Sequence, residues 1–155
     1  MMLHLFILLF FLPFSVATNC DNCACPNITS MFESTWSRLS YSEGPSCTYN
    51  LTCPTTYYTW LGTYWNSTDI PMPADADPEW LLMYATMTKN VNGPSVDLFN
   101  MFGLECSDEG KWMITKAYEE VQYMDLNFEV RSLNGSVITE KGYKSELLFW
   151  VCDPM

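Results

Sequence analysis

Seven cysteines constrain this chain most: Cys20, Cys23, Cys25, Cys47, Cys53, Cys106 and Cys152. All of them follow a hydrophobic leader. Residues 5–12 form an unbroken apolar run, Pro13 ends it, and Ser15-Val16-Ala17 supplies the small residues that signal-peptide cleavage prefers. The run is too short for a membrane span, which takes about 20 apolar residues. Residues 1–17 are therefore expected to be a signal peptide and the mature chain to begin near Thr18, secreted and extracellular. In an oxidising compartment the cysteines read as disulfides. Seven is odd, so one is left unpaired or bonds another chain.

The hairpin around Cys106 carries the clearest local structure. Asp108-Glu109-Gly110 suits a three-residue loop, with Gly110 in the left-handed region where glycine costs least. That register sets Cys106 opposite Trp112 and Leu104 opposite Ile114, giving one apolar face. A slip of one residue would place Glu105 against Trp112 and break the face. Cys106 is expected to pair with Cys152, since both end predicted core strands. Cys20, Cys23, Cys25, Cys47 and Cys53 crowd together upstream and can pair locally. Cys47 and Cys53 could close a small loop or each reach back to Cys23 or Cys25. The C-x-x-C at Cys20–Cys23 has no helical context, and stapling is favoured over redox or metal chemistry.

The rest reads as short strands. Residues 18–54 form a cysteine-rich, loop-rich segment and residues 55–155 a β core, together one domain. Tyr58, Trp60 and Tyr64 belong to an aromatic stretch at residues 57–65, read first as a core strand with one half-exposed face; the three are also candidates for ligand stacking. Residues 69–78 form a proline-rich loop with Asp69, Asp75 and Asp77, better read as a solvated acidic loop than a calcium site. Residues 79–88 lean to strand. Asn92-Gly93-Pro94 marks a turn. Residues 96–106 are expected to run as a strand into the hairpin. Leu126, Phe128 and Val130 are expected to face the core, while Asn127, Glu129 and Arg131 face out. Asn134-Gly135 is read as a turn into a strand at residues 136–140. Residues 145–152, apolar on both faces, suit a central strand. The expected fold is all-β, an antiparallel sandwich or partly open barrel with a disulfide-stapled N-terminal segment.

Composition excludes several functions. The net charge is −11, which disfavours nucleic acid and anionic membranes. The only histidine is His4, inside the leader. A mature chain without imidazole cannot run Ser-His-Asp or Cys-His catalysis or build a His-containing zinc site. Sequons at Asn27, Asn50, Asn66 and Asn134 mark expected surface glycans.

The Cys106-x-x-x-Gly110-x-Trp112 hairpin, set behind an N-terminal cysteine cluster and a leader, resembles a large nematode-expanded secreted family of unknown function. The resemblance runs from Cys20 to Cys152. It implies an extracellular protein and brings no catalytic residues. The expected function is non-catalytic binding of an extracellular protein or glycan, with no cofactor, no metal, no nucleic acid and no membrane span. The alternative is a small glycan-binding or defence-effector module using the aromatics of residues 57–65. An enzyme built on paired carboxylates is the third reading.

Overall fold

Alternating β-formers from Tyr57 to Tyr64 make the longest strand, and the other strands assemble around it. The structure, a computed structural model, describes residues 23–32, 39–53, 57–87 and 96–154. The expected signal peptide, Cys20 and the turn at Asn92-Gly93-Pro94 lie outside the described residues. The strands are β1 (Ser40–Glu43), β2 (Tyr49–Cys53), β3 (Tyr57–Tyr64), β4 (Leu81–Met87), β5 (Val96–Asp97), β6 (Glu105–Cys106), β7 (Trp112–Ile114), β8 (Glu120–Met124), β9 (Val130–Asn134), β10 (Ser145–Glu146) and β11 (Phe149–Pro154). Among the described residues two short α-helices, α1 (Leu98–Met101) and α2 (Gly135–Lys141), and 3-10 turns at Ile28–Met31 and Trp65–Ser67 interrupt them. The described chain is thus mainly β.

Every pairing between the described strands is antiparallel. A five-stranded sheet runs in the order β11-β3-β4-β8-β9, and two three-stranded sheets run β1-β2-β5 and β10-β7-β6. Successive strand residues point to opposite faces, so register defines the core face of the large sheet. On it lie Thr59, Leu61 and Thr63, then Leu82, Tyr84, Val121, Tyr123, Trp150 and Cys152, all buried. Leu51 and Cys53 from β2, and Trp112 and Ile114 from β7, join the same cluster. One core therefore serves all three sheets.

The hairpin forms as its sequence dictates. Cys106 lies opposite Trp112, and Gly110 has φ +75°. Trp112 is fully buried. Its indole meets Tyr49 and Phe99 edge-on, and its Nε1–H donates to the Pro26 carbonyl at 2.8 Å. The N-terminal segment is thus held against the hairpin. Residues 81–87 are strand, as expected.

Four expectations are corrected. Residues 96–106 are not one strand: the Asp97 carboxylate accepts the Asn100 N–H and caps α1, which buries Leu98 and Phe99. Residues 135–141 form a helix, because Asn134 accepts the Ser136 N–H and Gly142 (φ +70°) ends it. Asn-Gly here is a helix cap followed by a close approach. A Cβ on Gly135 would stand 2.8 Å from the carbonyl oxygens of Ala117 and Glu119. Residues 145–152 split between β10 and β11, and β11 is an edge strand of the large sheet. Leu126, Phe128 and Val130 are exposed: residues 125–129 form the β8–β9 turn and carry Leu126 and Phe128 off the core, and Val130 opens β9 on the outer face of the sheet, opposite Met124.

The disulfide assignment also changes. Cys106 bonds Cys25, Cys152 bonds Cys53, and Cys23 bonds Cys47. Cys152 lies opposite Thr59 on the core face, which places its sulfur toward β2 and away from the hairpin. The Cys53–Cys152 bond spans 99 residues, for which chain entropy gives about 4.7 kcal/mol. That is a large part of a typical domain stability of about 5–15 kcal/mol. Cys53→Ser should therefore cut secretion sharply, and a Cys53→Ala/Cys152→Ala double variant should lose no more than either single variant. Non-reducing peptide mapping checks the bond, and a Cys106–Cys152 peptide would sink the assignment.

Candidate functional site on the open face of the five-stranded sheet

The large sheet has a second face, fixed by the same registers. Trp60 and Tyr64 on β3 lie on it, with Gly62 between them. Opposite these stand Val151 and Phe149 on β11 and Ala85 and Met83 on β4. Gln122 and Glu120 follow on β8, and Met124 and Val130 lie opposite each other at the β8–β9 end. This face stays in contact with solvent. Trp60 is 37% exposed and Tyr64 49% exposed. Phe149, Val151, Met83, Gln122 and Met124 are half-buried.

Gly62 has a specific job here. A Cβ built on it would sit 2.1 Å from the Phe149 ring. The ring therefore lies over the glycine, which sits between Trp60 and Tyr64 along β3. The result is an aromatic row, Trp60–Phe149–Tyr64, about 13 Å long at the usual strand rise. Polar groups flank it: the Gln122 amide donates to Glu120 at 2.6 Å. At the Tyr64 end the face runs into an open cleft of about 430 Å³ lined by Tyr64, Trp65, Ile70, Met72 and Pro78. Asn66, a sequon residue, lies on the rim of that cleft.

Of the expected stacking residues, Trp60 and Tyr64 are brought together on one exposed face. The Tyr58 side chain lies outside the described residues. Phe149 was missed because the sequence places it in a doubly apolar run that reads as interior. Gly62 in the middle of a β3 pattern was the available signal, since strand glycines often mark close approach.

The turn at the rim is built rather than slack. Asp125 is 1% exposed. Its carboxylate accepts the N–H groups of Asn127 and Glu129 at 2.8 and 2.9 Å and the Arg131 Nε–H at 2.9 Å. The Glu129 N–H above all, then the Asn127 N–H and the Arg131 guanidinium, hold its carboxyl below the usual carboxylate range against the opposing effect of burial. Phe128 is held at φ +62°, an outlier for a bulky residue, and stands 72% exposed.

The larger concavity has a different character. A cleft of about 750 Å³ is lined by Asp69, Glu105, Asp108, Glu109 and Glu146 with Lys111 and Lys144. Lys111 pairs with Glu146 at 2.9 Å, and Lys144 pairs with Glu105; each partner raises its lysine's pKa. These are half-exposed ion pairs, worth little to stability. The acids of residues 69–78 serve separate local roles. Asp69 accepts the Lys144 N–H, Asp77 accepts the Glu79 N–H, and Asp75 accepts from the Tyr123 hydroxyl. Deeper in, Tyr84 is fully buried and hydrogen-bonds Ser145, which also bonds Thr68. Burial pushes the Tyr84 phenol up to about 12, although the Ser145 contact lowers it. This chain of hydroxyls ties β4 to β10 with its protons in place.

What these features define is a disulfide-stapled antiparallel β domain with one open aromatic sheet face. The chain belongs to the family described as TRA-1 regulated protein R03H10.4, whose family model matches residues 21–152. This agrees with the nematode family that the hairpin motif resembles. No curated protein and no solved structure matches the chain.

Two outcomes follow from this geometry. Gly62→Ala should cost about 1–3 kcal/mol, the usual range for overpacking, and Phe149→Ala should relieve most of that cost in the double variant. Urea unfolding of the four species reads the coupling; additive effects would mean the ring does not sit over Gly62. Asp125, with its folded pKa depressed, contributes stability fully above its unfolded pKa of about 3.9. That contribution is lost as pH falls through the folded value. Asp125→Asn should thus be less stable than the parent at pH 6, with the gap closing on acidification below about pH 4.

Proposed function

We propose that this chain is a secreted, N-glycosylated, non-catalytic binding protein whose contact surface is the open face of the five-stranded sheet. The observation that carries the reading is the row Trp60–Phe149–Tyr64, with Trp60 and Tyr64 exposed and Phe149 half-buried, on a disulfide-stapled scaffold. Exposed aromatic groups backed by rigid sheet give large contact area at low entropic cost. Three intrachain disulfides support an extracellular setting. Among the described residues no helix is long and apolar enough to cross a membrane. The four sequon asparagines Asn27, Asn50, Asn66 and Asn134 are all exposed, so each is open to modification.

A non-catalytic role fits the titratable groups. Asp125 is the one buried acid among the described residues, and it is consumed by its turn and Arg131. Among the described residues no second buried carboxylate stands with it for acid–base work. A glycan ligand is the second reading, favoured by the aromatic row beside the amide and carboxylate of Gln122 and Glu120. Sugar rings stack on aromatic faces, and such acceptors hydrogen-bond hydroxyls.

The test uses the oxidised, glycosylated mature domain and a Trp60→Ala/Tyr64→Ala variant with an unchanged disulfide map. A glycan array and affinity capture from extracellular fluid are run with both. A ligand retained by the parent and weakened at least tenfold in the variant is expected. Retention of the same ligands by both proteins would exclude this face as the contact surface.

A further inference from the structure

Two disulfides stand side by side at the N-terminal segment. The sulfurs of Cys23, Cys47 and Cys106 all lie within 4.8 Å of one another, although Cys23 bonds Cys47 and Cys106 bonds Cys25. Those three cysteines are half-buried, and Cys25 behind them is buried. Cys47 and Cys106 both line a cleft of about 500 Å³ with Ser46, Thr48, Glu105 and Asp108. Ser46 and Cys47 sit at φ +55° and +59°. Two consecutive non-glycine residues in the left-handed region carry a conformational cost. Cys53–Cys152, by contrast, is buried at both ends.

We propose that this pair of disulfides is a thiol–disulfide exchange site whose co-reactant is a cationic thiol. A thiolate attacks the Cys47 sulfur from the cleft; a mixed disulfide forms there, the Cys23–Cys47 bond breaks, and Cys23 leaves as thiolate. Cys23 has the Cys106 sulfur within reach and attacks it. The Cys23–Cys106 bond forms and Cys25 is expelled as thiolate. Cys25 then attacks the mixed disulfide at Cys47, forms Cys25–Cys47 and returns the incoming thiolate. Two disulfides enter, two leave, and nothing is oxidised or reduced overall.

The exchange has a structural consequence. The tether between the N-terminal segment and β6 moves from Cys25 to Cys23. Ala24 and Pro26 flank Cys25, and both contact the hairpin: a Cβ on Gly110 would meet the Ala24 carbonyl at 2.9 Å, and Pro26 accepts from Trp112. Moving the tether by two residues breaks that docking register. The cleft also selects its reactant. Among the described residues its lining carries Glu105 and Asp108 and no lysine or arginine. Glu105 is paired with Lys144, which leaves Asp108 to attract a positively charged thiol.

Anaerobic exchange of the mature protein carrying Cys20→Ser tests this, so that only added thiol can start the reaction. Substoichiometric cysteamine is added, samples are acid-quenched, and electron-transfer fragmentation between Cys23 and Cys25 identifies each partner. Cys23–Cys106 and Cys25–Cys47 are expected to accumulate while Cys53–Cys152 persists. At matched thiolate concentration, cysteamine should exceed mercaptoethanesulfonate on the order of tenfold at low salt, converging at high salt. A second variant, Cys20→Ser/Cys25→Ser, leaves a Cys106 thiol beside the Cys23–Cys47 bond, and alkylation should spread from Cys106 to Cys23 or Cys47. Original pairs alone in the first protein, with label confined to Cys106 in the second, would overturn the proposal. Equal rates for the two thiols would overturn the charge selection.

Discussion

The Cys53–Cys152 bond joins the end of β2 to the β11 edge of the large sheet, and the rest of the architecture depends on it. The two elements are distant in sequence and share no strand pairing. Non-local contacts of this kind are costly to close. Once the bond exists, Leu51 and Cys53 are committed to the same core as Leu61 and Trp150. The small sheet can then cover the inner face of the large one. The outer face gains nothing from that closure, which is why its residues remain in contact with solvent.

Trp112 performs a similar role at the other end. Its ring fills the space between Tyr49 and Phe99, while its N–H reaches back to Pro26. A buried indole needs a partner for that donor, so the N-terminal segment is drawn onto the hairpin by a hydrogen bond as well as by Cys25–Cys106. Stapling there is double, covalent and polar. In the exchange proposed above the segment stays tethered covalently, through Cys23 in place of Cys25, while the polar contact at Pro26 is given up.

Local chemistry was legible wherever one signal dominated. Gly110 and the Cys106/Trp112 alternation fixed the hairpin, and the exposed positions of Trp60 and Tyr64 followed from period-two patterning. The errors have physical causes. Asn134-Gly135 satisfies both a hairpin turn and a helix cap; here Asn134 accepts the Ser136 N–H and the chain continues as α2, with Gly135 packed against the Ala117 and Glu119 carbonyls. Leu126, Phe128 and Val130 alternate like a strand, but Asp125 collects two backbone N–H groups and Arg131 and turns the chain there. The disulfide partners of Cys106 and Cys152 depend on which face each strand presents to which layer. Spacing along the chain does not contain that information.

An open aromatic sheet face invites self-association, and the structure limits it at the edges. Unpaired strand edges are templates for further pairing. On β11, Phe32 bridges Trp150 in parallel, and Pro154 closes the strand without an N–H to offer. On β9, Arg131 and the exposed Asn134 flank a short edge, and a glycan at Asn134 would stand at that corner of the face, beside Glu120. A net charge of −11 adds repulsion between copies. These devices act at the perimeter and leave the row Trp60–Phe149–Tyr64 clear. Protected edges beside an open aromatic row fit the contact surface proposed above, for a partner whose charge does not oppose an acidic domain.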